Sequence, residues 1–133
     1  MIHISEAASL ALHALALLAH SAPERRTAAE LAERLDASEA HLAKVLQRLR
    51  RARLVASVRG PHGGFVLARD PSEISLLEVY ETIEGPLDDA LCTMDKPVCR
   101  GEQCLFGGLL CTLTREARAY LSGTKLDQLG TVF

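Results

Sequence analysis

The chain has 133 residues, 48% of them hydrophobic and 4% aromatic with no Trp, which suits a single domain with a core of Ala, Leu and branched side chains. Such good helix formers predict a mainly α protein. The apolar stretch Ala7–Ala19 is interrupted by Ser9 and His13 and lacks a basic leader, so neither a membrane span nor a signal peptide is expected, and the chain reads as cytoplasmic.

The net charge of −2 hides an asymmetry: residues 1–69 carry ten Lys/Arg against six Asp/Glu, and residues 70–133 carry five against eleven. Between Ala40 and Arg69 lie seven basic residues and no acidic one. That composition fits a local polyanion-binding face, and equally a solvated helix flank.

Apolar residues at helical spacing (Ala7, Leu10, Ala11, Ala14, Leu15, Leu18) predict a first helix over Ile4–His20, with Leu12 and Leu17 widening its stripe. His13 lies four residues after Ser9 on that helix and reads either as a partly buried, hydrogen-bonded imidazole or as a ligand. Thr27-Ala-Ala-Glu30 is a capping box that opens a short helix to Leu35. Ser38 caps a third helix over Glu39–Ala52.

Two capped helices joined by a short turn outline a helix-turn-helix. Leu31, Leu35, Leu42, Val45, Leu46 and Leu49 supply its inner face. Ser38, Glu39, Ala40, His41, Lys44, Gln47, Arg48 and Arg51 are left as the outer face of the recognition helix, the N-terminal ones best placed for a major groove.

Leu54–Arg59 and Phe65–Arg69 are two β-rich runs around Gly60-Pro-His-Gly-Gly64, a hairpin placed where a wing would be. Arg59 and His62 stand at its tip, and Gly63 and Gly64 would let backbone approach a phosphate closely. Ser75-Leu-Leu-Glu78 reads as another capping box, opening a fourth helix over Leu76–Glu84 that Gly85 and Pro86 stop. A cysteine-bearing loop over Leu87–Glu102 follows, then a long amphipathic helix over Leu105–Leu121 suited to pairing with a second copy, and a short helix from Thr124. The expected organisation is one compact unit: residues 1–86 a winged helix-turn-helix, 87–104 a cysteine loop, 105–133 a dimerisation helix and tail.

All four cysteines fall in Cys92-x6-Cys99-x4-Cys104-x6-Cys111. In a reducing compartment such clustering points to metal or redox chemistry before structural disulfides. Structural zinc favours pairs two to four residues apart, which this segment lacks. Wider thiolate spacing suits an iron–sulfur cluster, and a metal-free thiol–disulfide switch with Lys96 and Arg100 nearby remains open. Cys111 follows Cys104 by seven residues, about 10 Å along a continuous helix, so it joins the same site only if the Gly107-Gly108 region is unwound; otherwise it is a small apolar residue of the dimer helix. No nucleophile motif, nucleotide phosphate loop or helix-borne metal motif occurs, and an enzyme is not expected.

The run from Leu42 to Pro86, with "SVRGPHGGFVLA" followed by "SLLEVYETIEGP", the Ala/Leu-rich first helix and the cysteine loop together resemble the IscR/NsrR-type (Rrf) family of winged-helix transcription regulators, over Ile4–Leu129. The resemblance implies a homodimer on a palindromic double-stranded DNA operator, with a [2Fe-2S] or [4Fe-4S] cluster on Cys92, Cys99 and Cys104. The x6/x4 spacing shifts the middle cysteine by one from a familiar x5/x5 pattern, and Gly107 stands where some members carry a His ligand. Other members take the fourth ligand from helix one of the partner, where Ser9 and His13 stand here, so His13 becomes the candidate and Cys111 the further one. Three readings follow: a cluster-switched regulator responding to redox, nitric oxide or iron status; a cluster-free regulator governed by thiol oxidation or a protein partner; and a zinc-stabilised interaction module.

Overall fold

The computed structural model describes residues 2–88, 92–94, 96, 98–99, 103–130 and 132–133. Helix α1 spans Glu6–Ser21, opened by Ser5, whose hydroxyl accepts from the Ala8 N–H at 3.1 Å. It buries Ala8, Leu10, Ala11, Ala14, Leu15, Ala16, Leu17 and Leu18, more than one stripe, because neighbours cover it on several sides. Small side chains dominate these positions and allow close approach.

Helix α2 (Ala28–Arg34) carries both halves of the expected capping box: Glu30 N–H to Thr27 Oγ1 at 3.1 Å, and Thr27 N–H to the Glu30 carboxylate at 2.8 Å. Asp36, at φ 49°, turns the chain; a short polar side chain tolerates that left-handed geometry. Ser38 then caps helix α3 (Glu39–Arg51), with Leu42, Val45, Leu46 and Leu49 buried at i, i+3, i+4 and i+7.

Arg53, at φ 60°, ends α3 and leads into strand β1 (Val55–Val58), antiparallel to β2 (Gly64–Leu67) with Val55 opposite Leu67 and Ser57 opposite Phe65. The outer edge of β2 is tied to Arg26: Arg26 N–H to Phe65 O at 3.1 Å, and Phe65 N–H to Arg26 O at 2.7 Å. A Cβ on Gly64 would lie 2.8 Å from the Arg26 carbonyl oxygen, and one on Gly63 would lie 2.6 Å from the Val58 oxygen. Both glycines are therefore required by the chain's own close packing.

A 3₁₀ turn at Pro71–Glu73 precedes helix α4 (Leu76–Glu84). Only half of the expected capping box forms there: Ser75 accepts from the Glu78 N–H, whereas the Glu78 carboxylate pairs with Arg69. Helix α5 spans Leu109–Gly123 and starts four residues later than the periodicity suggests. Gly107 at φ 55° and a bond from its N–H to Cys104 O make residues 104–107 a turn, so the region between Cys104 and Cys111 is not one continuous helix. A 3₁₀ turn at Leu126–Leu129 folds back onto α1, with Leu126 N–H bound to Ile74 O at 3.0 Å. Leu15, Leu18, Leu42, Leu46, Leu49, Leu54, Ile74, Val79 and Leu126 form the centre of one continuous core.

The Glu84 carboxylate closes α1 onto α4 by accepting from both the hydroxyl and the N–H of Ser5. The Ser5 hydroxyl bond chiefly holds Glu84 below the ordinary carboxyl value of 4.5, with lesser help from the Ser5 N–H and His3 against a desolvation penalty. A depressed folded value contributes stability that is present above the unfolded value and lost as pH falls through the folded one. Thermal melts should therefore lose more stability below about pH 4.5 in the wild-type chain than in Glu84→Gln. Parallel pH profiles would contradict this linkage.

Candidate nucleic-acid interface and cysteine segment

The outer face of α3 presents Glu39, Ala40, Lys44, Gln47 and Arg51 as exposed side chains, with Ser38 exposed at its start. Lys44, Gln47 and Arg51 have no side-chain partner among the described residues, which leaves their donors available. His41 is half-buried at the α1 edge, its Nδ1 3.8 Å from the Glu6 carboxylate.

Arg48 is exposed as expected, but it also makes a contact within the protein. Its guanidinium donates to the carbonyls of Thr82 (3.4 Å) and Ile83 (2.7 Å) at the end of α4. The helical wheel explains it: Arg48 lies on the flank of α3 rather than at its crest, and α4 ends alongside. On the wing, Arg59 and His62 are exposed at the tip, while Gly63 and Gly64 are half-buried beneath it.

In the cysteine segment, Cys92 is half-buried, with the Met94 N–H 3.4 Å from its sulfur, and Cys99, Cys104 and Cys111 are exposed. Pro97, Arg100, Gly101 and Glu102 lie outside the described residues. Among the described residues no three His, Cys, Asp or Glu side chains converge as a metal-holding group. The donors expected for an iron–sulfur cluster, Cys92, Cys99, Cys104 and His13, are thus not assembled within one chain, and Cys111 joins no such group either.

His13 is exposed, not partly buried. Its Nδ1 sits 2.7 Å from the Ser9 carbonyl and 3.5 Å from the Ser9 hydroxyl, with the ring edge-on to Phe133. A carbonyl only accepts, so Nδ1 carries the proton and a neutral ring keeps its lone pair on Nε2. That tautomer suits a metal-ligating imidazole.

Helix α5 divides its apolar residues instead of gathering them on one side. Leu110 and Thr114 are buried against the domain and Ala117 and Leu121 are half-buried, whereas Leu109, Leu113 and Tyr120 are 51%, 46% and 64% exposed. Cys111 is on neither stripe. The Thr114 hydroxyl is buried without a hydrogen-bond partner among the described residues.

A capped helix-turn-helix followed by a hairpin wing, with donors on the outer face of α3, defines a winged-helix DNA-binding protein. The family model described as "Rrf2: Iron-dependent Transcriptional regulator" matches residues 4–131, and the chain belongs to that family of winged-helix transcription regulators rather than to an enzyme class. It is 35% identical over 101 residues to the HTH-type transcriptional regulator IscR of Photorhabdus laumondii, covering 76% of this chain and 62% of that one. Against the Escherichia coli O1:K1 IscR it is 34% identical over 102 residues, with the same coverage. The chain thus spans less than two thirds of the length of these IscR proteins.

Among solved structures, CymR of B. subtilis, described as its global cysteine regulator, superposes with a TM-score of 0.82 at 25% identity, covering 100% of this chain and 99% of that one. T. potens IscR superposes with a TM-score of 0.74 at 22% identity, covering 96% and 85%. The second likeness speaks to the fold alone. No helix among the described residues is long and apolar enough to cross a membrane. Membership in a transcription-regulator family leaves the zinc-stabilised interaction module without support.

Lys44→Ala and Gln47→Ala should each weaken binding to the chain's operator by about 1–3 kcal/mol, roughly 5- to 150-fold, as expected of groove-facing donors. Fluorescence anisotropy with the operator duplex measures it, and unchanged affinity would remove α3 from the groove.

Proposed function

We propose that the chain is a homodimeric operator-binding transcription regulator whose DNA affinity follows the thiol state of its cysteine segment. The observation that carries this reading is the end of α4, where the recognition helix and the start of the cysteine segment are tied to the same turn. Arg48 of α3 donates to the carbonyls of Thr82 and Ile83. Two and four residues on, Gly85 N–H donates to Glu81 O (2.9 Å) and Leu87 N–H to the Glu81 carboxylate (3.0 Å). Arg118 of α5 donates to Leu87 O. A displacement of the segment beyond Leu87 is therefore felt at α3 through contiguous hydrogen bonds.

Three of the four thiols are exposed, as an oxidant requires. Two thiols give up two electrons and two protons to a peroxide, forming one disulfide and two waters, and the shortened segment pulls on Leu87. The likeness to CymR over its full length supports the regulator part of this reading. The exposed Leu109, Leu113 and Tyr120 stripe of α5 is the surface we assign to the second copy. Operator recognition then comes from two α3 helices reading half-sites of a palindrome, with Ser38, Glu39, His41, Lys44, Gln47 and Arg51 on the helix and Arg59, His62, Gly63 and Gly64 on the wing as the DNA-facing set.

The second reading is iron–sulfur control, favoured by the family description and by the His13 tautomer. Because Cys92, Cys99 and Cys104 do not converge with a fourth donor in one chain, it needs a rearranged segment or His13 from the partner copy. A cluster there would supply a redox-labile cross-link for the segment.

Peroxide treatment of the reduced, iron-free dimer should change operator affinity by about 5- to 150-fold, the usual span of allosteric coupling. Dithiothreitol should reverse the change. Cys99→Ser and Cys104→Ser should blunt the response, and Arg48→Gln should leave a folded protein whose affinity no longer follows oxidation. An affinity indifferent to peroxide would contradict thiol control. Anaerobic purification giving a coloured protein with stoichiometric iron and sulfide, whose loss alone alters binding, would establish the cluster reading in its place.

A further inference from the structure

A second charged feature lies on the opposite flank of α3 from Arg48. Arg50, in the last turn of α3, and Arg53, just beyond its end, border an open groove of about 520 Å³ along β1. Both are exposed, and their guanidinium groups have no hydrogen-bond or ion-pair partner among the described residues. Arg69, in the same groove, is already committed to the Glu78 carboxylate and the Glu73 carbonyl, so it adds wall and little free charge. Among the described residues no acidic one lines the groove.

The backbone of β1 contributes a donor. Opposed residues of an antiparallel pair either exchange both hydrogen bonds or neither. Phe65 turns its N–H and C=O outward to Arg26, so its opposite number, Ser57, makes none to β2. The Ser57 N–H and C=O therefore point to the other edge of β1, which no strand covers, and Ser57 is exposed in the groove.

We propose that this groove seats the sugar–phosphate backbone of the operator, with Arg50 and Arg53 each neutralising one phosphodiester and the Ser57 N–H and hydroxyl donating to its oxygens. The inference rests on the DNA-binding reading of α3. A helix of about 10–12 Å diameter fills a major groove about 12 Å wide, so a phosphate strand runs along each of its flanks. On the DNA-binding reading, the strand on the hairpin side runs along the flank of α3 that faces β1. Arg50 stands on that flank, and the groove lies beside it, between the end of α3 and the base of the hairpin. Contacts of this kind position the protein and carry no base preference.

Operator and unrelated duplexes titrated across about 50–200 mM KCl read the number of phosphates neutralised, each contributing about 0.9 to the slope of log K against log salt. Arg50→Gln/Arg53→Gln removes two phosphate contacts from each protomer, so it should weaken both duplexes by the same factor and reduce the slope for the dimer by about 3.6, with an unchanged thermal melt. Arg50→Lys/Arg53→Lys should keep the slope. In the unaltered protein, single neutral methylphosphonates on the wing-side strand of each half-site should lower the slope by about 0.9 at two positions. An unchanged slope in the glutamine variant, a loss confined to the operator, or a flat methylphosphonate scan along that flank would overturn the proposal. A wild-type chain that binds neither duplex would contradict the DNA-binding reading itself.

Discussion

The last turn of α4 leaves carbonyl oxygens that its own helix cannot satisfy, and Arg48, thirty-four and thirty-five residues earlier in the chain, takes two of them. A cation at a helix C-terminus also meets the negative end of the helix dipole. One residue on, Glu84 holds the N-terminus of α1 through Ser5, and Gly85, at φ 84°, turns the chain toward the cysteines. Four parts of the molecule meet at this turn: the recognition helix, the start of α1, the cysteine segment and α5. The core beneath, built around Leu15, Leu18, Leu42 and Leu46, gives the turn a rigid bed but does not join those four parts.

That meeting point gives each flank of α3 a distinct task. The α4 flank holds Arg48 on carbonyls, with His41 near Glu6 at the α1 edge. The crest keeps Lys44, Gln47 and Arg51 free, and the hairpin flank keeps Arg50 free. On the proposed coupling, a sensor that moves α4 would tilt α3 about its inner, protein-bound flank. The base-facing side chains would swing while the Leu42–Leu49 stripe stays in place, since packed cores have discrete arrangements and do not deform continuously.

Much of this was legible before any coordinates. The capping box at Thr27, the Ser38 and Ser75 caps and the Leu42/Val45/Leu46/Leu49 spacing are local rules, and all three helices they open form where expected. The hairpin followed from β-branched runs around Gly and Pro. What escaped was non-local. Nothing near Arg48 in sequence announces the α4 carbonyls that it reaches. Glu78 had a capping role in the pattern, but Arg69 offered a stronger partner. Gly63 and Gly64 are legible as wing glycines, but the closeness of the Val58 and Arg26 backbone that requires them is not. The turn at Gly107 delays α5, and Leu109, Leu113 and Tyr120 lie exposed on it although the periodicity counts them as apolar face. The cysteine spacing marks the segment as a candidate site without naming its chemistry, because a thiol pair and a cluster place similar demands on a short loop.

Amide hydrogen exchange on the reduced and the peroxide-treated dimer tests the coupling most directly. Transmission through the α4 turn predicts altered protection in residues 76–88 and in the last turns of α3, with the buried face of α1 unchanged. A change confined to residues 92–111, with α3 and α4 exchanging identically in both states, would contradict it.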